Sequence, residues 1–266
     1  MPGDLDVPAG IDMTIPNAAR MYDYYLGGVN HFPADREAAE HVLRAAPWIR
    51  ATALENRAFL GRVVRFLAGE GGIRQFIDIG TGLPTEGNVH DIVSRAAPGG
   101  RVTYVDNDPV VLGQSRAILS GADGVSTIRA DLRQPAEIIG HPALSGFVDW
   151  AQPVAALLVA VAHFIPDTDD PPAIIGQFHD AMAPGSYLAI SHVHHAAVSD
   201  AAHQVTSIYA RASAPLVFRT RDQITRLFAG FDLIDPGVVS IPEWRPDPRL
   251  FPPGEVWGLA GVGRKS

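Results

Sequence analysis

The fold of this chain is predicted from one short segment, Phe76-Ile77-Asp78-Ile79-Gly80-Thr81-Gly82. Its first four residues are apolar except for one carboxylate, which is typical of a strand buried on both faces of a parallel sheet. Gly80 and Gly82 let the chain turn sharply and leave room for a ligand against the backbone. A helix is expected to follow, from residue 85 or 86 to Ala96, with its free N–H groups directed at that ligand. Strand, glycine turn and helix together indicate a nucleotide-binding α/β unit.

Two further predicted strands also end in polar residues. The segment 101–105 is rich in β-branched and aromatic residues and leads into Asp106-Asn107. The segment 125–130 leads into Asp131-Leu132. A carboxylate at the end of the second strand can accept both hydroxyl hydrogens of a ribose. Because ligands of open parallel sheets bind at the carboxyl ends of the strands, we expect a ligand over these three ends.

Composition limits the possible classes of protein. A chain of 266 residues with 47% hydrophobic and 19% charged residues suits one large α/β domain, or a domain with a small extension, and argues against global disorder. A net charge of −8 disfavours nucleic acid as a bulk electrostatic partner. The absence of cysteine excludes disulfides, cysteine nucleophiles and thiolate metal sites. The chain begins without an apolar signal core, and its longest apolar run, 154–162, is too short to span a bilayer, so a cytoplasmic protein is expected.

The N-terminal part predicts helices outside the main domain. We assign residues 1–72 to a helical extension with a lid, and residues 73–266 to the α/β domain. A dense cluster of tyrosines precedes Gly27-Gly28, and it supplies Tyr22, Tyr25 and Asn30 as candidate lid residues. The alternative is a helix that only packs its rings on the main domain. In the helix 49–68, four interspersed arginines are expected to form a solvated face, although Asn56 and Arg57 could also turn inward.

The remaining strands bring histidines to the same end of the sheet. The fourth predicted strand, 153–161, is followed by Ala162 and His163, and the fifth, 186–191, by His192. The motif His192-x-His194-His195 lacks a carboxylate partner at fixed spacing, so no metal site is predicted. The chain closes with a predicted strand pair, 231–239 and 256–262.

These motifs together resemble the class I S-adenosylmethionine-dependent methyltransferases. More narrowly, the chain is similar to a bacterial family of S-adenosyl methyltransferases formerly known only as a domain of unknown function. The motifs that carry this likeness are Arg20-Met21-Tyr22-Asp23-Tyr24-Tyr25-Leu26-Gly27-Gly28, Asn56-Arg57-Ala58-Phe59-Leu60, Asp78-Ile79-Gly80-Thr81-Gly82-Leu83-Pro84-Thr85, Asn88-Val89-His90 and Tyr104-Val105-Asp106-Asn107-Asp108-Pro109. The resemblance implies a Rossmann-like α/β fold, with a seven-stranded, mostly parallel sheet, an antiparallel C-terminal strand and helices on both faces.

The resemblance also implies a cofactor site for S-adenosylmethionine. Its amino-acid end would lie on the glycine turn near Asp78, its ribose on Asp106 and its adenine beside the residues that follow strands two and three. Ala162 and His163 would lie near the sulfonium. The residues so implied are Asp78, Gly80, Thr81, Gly82, Asp106, Asn107, Asp131, Leu132, Ala162 and His163.

The chemistry implied is in-line methyl transfer to a small-molecule acceptor. The protein mainly holds the acceptor in line, and a general base is needed only when the acceptor must lose a proton. His163 and His192 are the predicted catalytic residues. Two alternatives remain open at this point: a non-catalytic protein that binds the cofactor as a sensor, and an NAD-dependent oxidoreductase. The second fits less well, because Pro84 replaces the third glycine and Glu86 would repel a diphosphate.

Overall fold

A mixed β-sheet forms the centre of the computed structural model, which describes residues 12–84, 87–119, 123–194, 199–248 and 254–266. In chain order, its strands are β1 (Gln75–Ile79), β2 (Arg101–Asp106), β3 (Val125–Arg129), β4 (Ala155–Val159), β5 (Tyr187–Val193), β6 (Asp232–Leu233), β7 (Val239–Ser240) and β8 (Gly258–Arg264). They lie in the order β3-β2-β1-β4-β5-β8-β6, with β7 paired to β8 beside this path. Strands β1 to β5 are parallel, and β8 runs antiparallel to β5. The chain order reverses between β1 and β4, which is where ligands bind in such sheets.

Helices cover both faces of the sheet and one end of it. In chain order they are α1 (Ala18–Tyr25), α2 (Pro33–Ala45), α3 (Ile49–Ala68), α4 (Val89–Ala96), α5 (Pro109–Leu119), α6 (Pro135–Ile139), α7 (Pro171–Ala181), α8 (Asp200–Tyr209) and α9 (Arg221–Arg226). Short 3₁₀ turns lie at Pro142–Leu144, Ala162–Phe164, Asp167–Asp169 and Ile241–Glu243. No helix in the described parts of the chain has the length and apolar character needed to cross a membrane.

The core has two layers because side chains of a strand alternate between the faces of the sheet. Ile77 and Ile79 of β1 point into a cluster with residues of α6, α7 and α9. Phe76 points to the other face, where α3 and α4 pack. Asp78 shares the face of Phe76 by the same alternation. The single carboxylate of β1 is therefore directed at α3 and not at the aliphatic core of the opposite face.

A third apolar cluster lies beyond the carboxyl ends of the strands. It joins α1, α2, the start of α3 and α8, and its members include Met21, Tyr25, Val205 and Tyr209. Val193, at the end of β5, belongs to the same cluster. These helices therefore close over the edge of the sheet at which the sequence predicted a ligand.

The number of strands and the start of one helix differ from the prediction. The sheet has eight strands where seven were predicted, because a turn at Gly237, with φ +82, divides the segment 231–239 into β6 and β7. The helix expected from residue 85 or 86 begins at Val89, because Asn88 is its N-cap and its backbone N–H is accepted by Asp91. Thr85 and Glu86 themselves lie outside the described residues. A helix that begins at Val89 does not include Glu86 in its first turn, so Glu86 no longer counts against a diphosphate at that helix.

Candidate active site

One cavity of about 550 Å³ lies between the carboxyl ends of the strands and the helices that close over them. This volume is within the usual range for small-molecule sites. Strands contribute Asp78, Asp106 and Ser191, and the covering helices contribute Tyr22 and Tyr209. The cavity is therefore built from parts of the chain that are far apart in sequence.

The glycine turn has the conformation that the sequence predicted. Gly80 and Gly82 have φ values of +70 and +64, which L side chains rarely adopt. The backbone N–H groups of Gly80 and Thr81 both donate to the carbonyl of Val105, at 2.8 and 3.2 Å, and so fix the turn against β2. A Cβ at Gly80 would lie 2.3 Å from Val161 Cγ2, whereas a Cβ at Gly82 would meet only open space. Gly80 is thus required by packing, and Gly82 borders the empty part of the cavity.

Two buried carboxylates face each other beside this turn. Asp106 Oδ2 accepts from the Gly82 N–H at 3.0 Å, and its Oδ1 accepts from the Asp108 N–H at 2.9 Å. Asp78 accepts from the Thr81 hydroxyl at 3.2 Å. The pKa of Asp78 is raised to about 6, mainly by burial; Arg57 and the Thr81 hydroxyl oppose this rise, and the charge of Asp106 adds a smaller part to it. Burial likewise raises the pKa of Asp106 to about 6.

These features fit the cationic, ribose-bearing ligand that the sequence implied. Among the described residues, neither Asp78 nor Asp106 forms an ion pair. A buried carboxylate without a cation is unfavourable. A ligand that brings hydroxyl donors or positive charge would therefore stabilise both carboxylates. The open space at Gly82 lies next to both.

The residues predicted at the adenine end lie together after β2 and β3. Asn107 Nδ2 donates to Asp131 Oδ2 at 3.3 Å. Asp131 also forms an ion pair with Arg133 at 2.6 Å, and hydrogen bonds from Arg133 lower its pKa. Leu132 is buried and lines the cavity. Asp131 thus has a permanent cationic partner, unlike Asp78 and Asp106.

The two candidate catalytic histidines differ in what their rings contact. His192 Nε2 lies 2.8 Å from Arg219 Nη1, and His192 Nδ1 lies 2.7 Å from the carbonyl of Val193. A guanidinium can only donate, so Nε2 accepts and Nδ1 carries the proton. With both nitrogens occupied, and with burial lowering its pKa to about 3, His192 does not fit the predicted role of general base.

His163 has an available nitrogen. Its side chain is buried and lines the cavity, and its ring centroid lies 5.4 Å from that of His192. Neither ring nitrogen has a hydrogen-bond partner among the described residues, but Nδ1 has no accessible surface, so Nε2 is the nitrogen that a ligand can reach. Burial, together with the nearby His192 and Arg219, holds the pKa of His163 well below its usual value. The ring is therefore neutral near pH 7 and able to accept a proton or a hydrogen bond.

Two predicted site residues, Asn30 and Ala162, do not line the cavity. Tyr22 and Tyr25 line the cavity, but Asn30 does not, and its backbone N–H donates to Asp23 Oδ2 at 2.8 Å. Ala162 does not line the cavity either, since its side chain packs in the core below the sheet edge. Its neighbours Val161 and His163 face the cavity instead.

A buried hydrogen-bond chain that the sequence did not predict connects the covering helices to the sheet. Tyr22 Oη donates to the carbonyl of Ala53 at 3.0 Å and accepts from Asn56 Nδ2 at 2.9 Å. Asn56 Oδ1 accepts from the hydroxyl of Ser191, which in turn accepts from the N–H of Ala160 at 2.9 Å. Asn56 belonged to a motif of the family resemblance, but nothing in the sequence indicated Ser191.

Of the four arginines of α3, Arg50 and Arg65 lie on the predicted solvated face, whereas Arg57 and Arg62 do not. Arg57 lines the cavity, and Arg62 is buried and donates to the carbonyls of Ile241 and Trp244. Arg65 is half exposed, as expected. Arg20, another cavity residue, is buried between two carboxylates, Asp35 at 2.7 Å and Asp108 at 3.2 Å.

Part of the cavity wall consists of aromatic rings. The aromatic compartment, as we call it, is formed by Tyr22, Tyr25, Phe164, Tyr209, Phe218 and Trp257. In the described parts of the chain, no group of three histidines, cysteines or acids is placed to hold a metal ion, and His195 lies outside them.

Comparison with known proteins relates the whole chain to one family. A family model described as S-adenosyl methyltransferase matches residues 5–266. The crystal structure of a candidate methyltransferase from Thermobifida fusca is 40% identical, with a TM-score of 0.90 over 97% of this chain and 98% of that one. A DUF574 family protein from Streptomyces avermitilis is 36% identical, with a TM-score of 0.91 over 96% of this chain and 99% of that one.

A more distant structure supports the fold alone. Human N-acetylserotonin methyltransferase, solved in complex with SAM, is 15% identical, with a TM-score of 0.51 over 94% of this chain and 63% of that one. A search of curated proteins found no match. The Rossmann-like fold predicted from the sequence, with its antiparallel C-terminal strand, is confirmed.

Proposed function

The chain belongs to the S-adenosyl methyltransferase family, and we propose that it transfers a methyl group from S-adenosylmethionine to a small-molecule acceptor held in the same cavity. The observation that carries this proposal is the pair of buried carboxylates, Asp78 and Asp106, beside the open space at Gly82. When bound, S-adenosylmethionine supplies a methyl group already activated by a sulfonium.

Each part of the cofactor site has a role in this proposal. Asp106 holds the ribose hydroxyls, since a carboxylate can accept both of their hydrogens. Asp78 and the glycine turn of Gly80, Thr81 and Gly82 receive the amino-acid end, where the carboxylate meets an ammonium group. Asn107, Asp131 and Leu132 border the adenine. The N-terminal helices serve as the roof of the site, with Tyr22 and Tyr25 facing inward.

His163 is the general base in this proposal. Its ring lines a cavity that is lined by the cofactor residues as well, and its Nε2, unlike the fully buried Nδ1, keeps accessible surface and has no hydrogen-bond partner among the described residues. A neutral imidazole there accepts the proton that a hydroxyl or amine acceptor loses, and it orients the acceptor beforehand. His192 acts through Arg219, by keeping that guanidinium in place behind the ring of His163.

Calorimetry with S-adenosylmethionine, S-adenosylhomocysteine and NAD tests the cofactor. We expect binding of the first two and none of NAD, because Asp78 and Asp106 favour a cationic, ribose-bearing ligand over a diphosphate. A labelled-methyl turnover screen then separates an enzyme from a protein that only binds the cofactor. Binding of NAD in preference to S-adenosylmethionine would contradict the proposal.

Replacing Asp106 by Ala tests the ribose contact. Loss of hydrogen bonds from two hydroxyls to a charged acceptor should weaken binding of S-adenosylhomocysteine by about 1–3 kcal/mol. Asp180, whose side chain is 85% exposed on α7, provides the matched control, and Asp180→Ala should bind as the wild type does. Unchanged affinity in Asp106→Ala would remove the ribose assignment.

A further inference from the structure

We propose that the methyl acceptor is an uncharged aromatic molecule with a hydroxyl group, bound in the aromatic compartment with that hydroxyl at His163. This inference rests on the proposed function, because the compartment is treated as the acceptor end of the cofactor cavity. Three separate properties of the compartment lead to it: its rings, its lack of charge and its one available polar atom.

The walls of the compartment are rings that contact one another edge to face or at a tilt. The ring of Phe164 lies 5.9 Å from that of Tyr209, and the ring of Phe218 lies 5.8 Å from that of Trp257. His163 extends the first pair, with its ring 4.4 Å from Phe164. A flat ring entering between these walls gains stacking and edge contacts that a saturated ring of the same size cannot make.

The ionised side chains that line the cavity lie outside the six residues of the compartment, and among them the charge of Arg57 reaches Tyr22. Those among the described lining residues are Asp12 in the arm and Arg20, Arg57, Asp78, Asp106, Asp108, Asp131 and Arg133, which belong to the cofactor end. In the compartment, the hydroxyls of Tyr25 and Tyr209 pair with each other at 3.2 Å. A charged acceptor would therefore lose its hydration without gaining a counter-charge.

The available polar atom that we assign to the acceptor is Nε2 of His163, because Nδ1 has no accessible surface whereas Nε2 keeps some and has no hydrogen-bond partner among the described residues. The side chain of His163 is only 5% exposed, so Nε2 meets little water, and leaving it without a partner is costly. One hydroxyl on the acceptor satisfies it. The same contact places that hydroxyl at the boundary between the aromatic compartment and the cofactor end.

A panel of three probes of nearly equal size tests the inference on the wild-type protein with saturating S-adenosylhomocysteine. The probes are 2-naphthol, its saturated analogue decahydro-2-naphthol, and 2-naphthoate. We expect 2-naphthol to bind roughly three- to tenfold more tightly than the saturated alcohol, because of its ring contacts. We expect it to bind at least about tenfold more tightly than the anion, whose burial is uncompensated.

Equal binding of the saturated alcohol would overturn the aromatic assignment, and equal or tighter binding of 2-naphthoate would overturn the assignment of an uncharged acceptor. Absence of binding by all three would overturn the inference as a whole. If S-adenosylhomocysteine binds but 2-naphthol does not, the acceptor class fails and the proposed function stands. If the protein binds 2-naphthol but neither S-adenosylmethionine nor S-adenosylhomocysteine, the proposed function fails and the aromatic site stands.

A pair of matched variants locates the binding site. Leu216 is buried and lines the cavity, so Leu216→Trp should fill the compartment and reduce 2-naphthol binding at least tenfold. Leu233→Trp, on the exposed surface of β6, should leave it unchanged. His163→Gln, which keeps a polar group but changes its position, should lower affinity for 2-naphthol more than for naphthalene. An equal loss for both would remove the hydroxyl contact.

Discussion

The carboxylates of Asp78 and Asp106 are destabilising in the folded chain when they are ionised. Burial raises the pKa of Asp78 from 3.8 to about 6, so the folded chain binds its proton more tightly than the unfolded chain does. Between these two values the folded state carries more protons, and its stability therefore falls as pH rises through the window. The folded chain thus keeps an unfavourable charge at the place where a cationic ligand is proposed to bind.

Asp78→Asn should isolate this effect. The variant should gain stability over the wild type as pH rises from about 4 to above 6, by roughly 3 kcal/mol for a shift of this size. The difference between the two proteins is the quantity to measure, because His192, whose folded pKa is lowered to about 3, gives the wild type an opposite trend between 3 and 6.5.

Urea unfolding at a series of pH values between 4 and 7.5 provides the measurement. Glu37→Gln, on the exposed face of α2, controls for the removal of one surface charge. If the difference in unfolding free energy between Asp78→Asn and wild type is constant across this range, folding does not raise the pKa of this carboxylate.

The glycine turn offers a comparison at the scale of an element. Gly80→Ala combines a left-handed backbone, which disfavours a side chain by about 1–2 kcal/mol, with a clash against Val161 that adds about 1–3 kcal/mol. Gly82→Ala has the first cost alone, because its Cβ meets only open space. Its methyl group would instead occupy space that we assign to the cofactor.

We therefore expect the two variants to separate stability from binding. Gly80→Ala should show the larger loss in unfolding free energy, and Gly82→Ala the larger loss in affinity for S-adenosylhomocysteine relative to its stability. Urea unfolding and calorimetry on both proteins provide the measurements. Wild-type affinity in Gly82→Ala would place the cofactor elsewhere.

Elements that are determined by residues close together in the sequence could be predicted. The turn after β1 needs glycine at its two positions with positive φ, and both glycines can be read directly from the sequence. The long helix α3 has the predicted bounds, 49–68, since it ends at a glycine cluster. The start of α4 was not predicted, because the capping pair of Asn88 and Asp91 defines it more strongly than the residues just after the turn. The division into β6 and β7 likewise depends on a turn that a period-two pattern does not resolve.

The covering helices were predicted, but the contacts that their polar side chains make were not. Arg62 and Arg57 have the spacing of a surface stripe, yet one donates to buried carbonyls after β7 and the other lines the cavity. Whether an arginine faces solvent depends on partners almost two hundred residues away. The spacing of residues along one helix does not show which distant residues they contact.

At the scale of the whole molecule, the cavity is closed by contacts between distant parts of the chain. Tyr25 meets Tyr209 across 184 residues, and Asn56 meets Ser191 across 135. The strand ends could be placed together from the sequence because parallel topology forces them to one edge. The aromatic wall could not, since α8 and Trp257 approach the N-terminal helices only in the folded chain.

Arg20 is the residue that most directly ties the N-terminal helices to the cofactor strands. Its guanidinium donates to Asp35 of α2 and to Asp108 after β2, and all three side chains are buried. Asp108 in turn donates its N–H to Asp106, so the roof and the ribose-binding carboxylate share one network.

Arg20→Met should therefore cost about 3–5 kcal/mol in unfolding free energy, because it leaves two buried carboxylates without their cation. Arg65→Met is the control, since its ion pair with Asp247 is more than half exposed on each side and should be worth at most about 1 kcal/mol. Adding Asp35→Asn to Arg20→Met should recover part of the loss by removing one unpaired charge. Urea unfolding measures all three. A loss in Arg20→Met no larger than that in Arg65→Met would mean that the helices are held to the sheet by apolar packing alone.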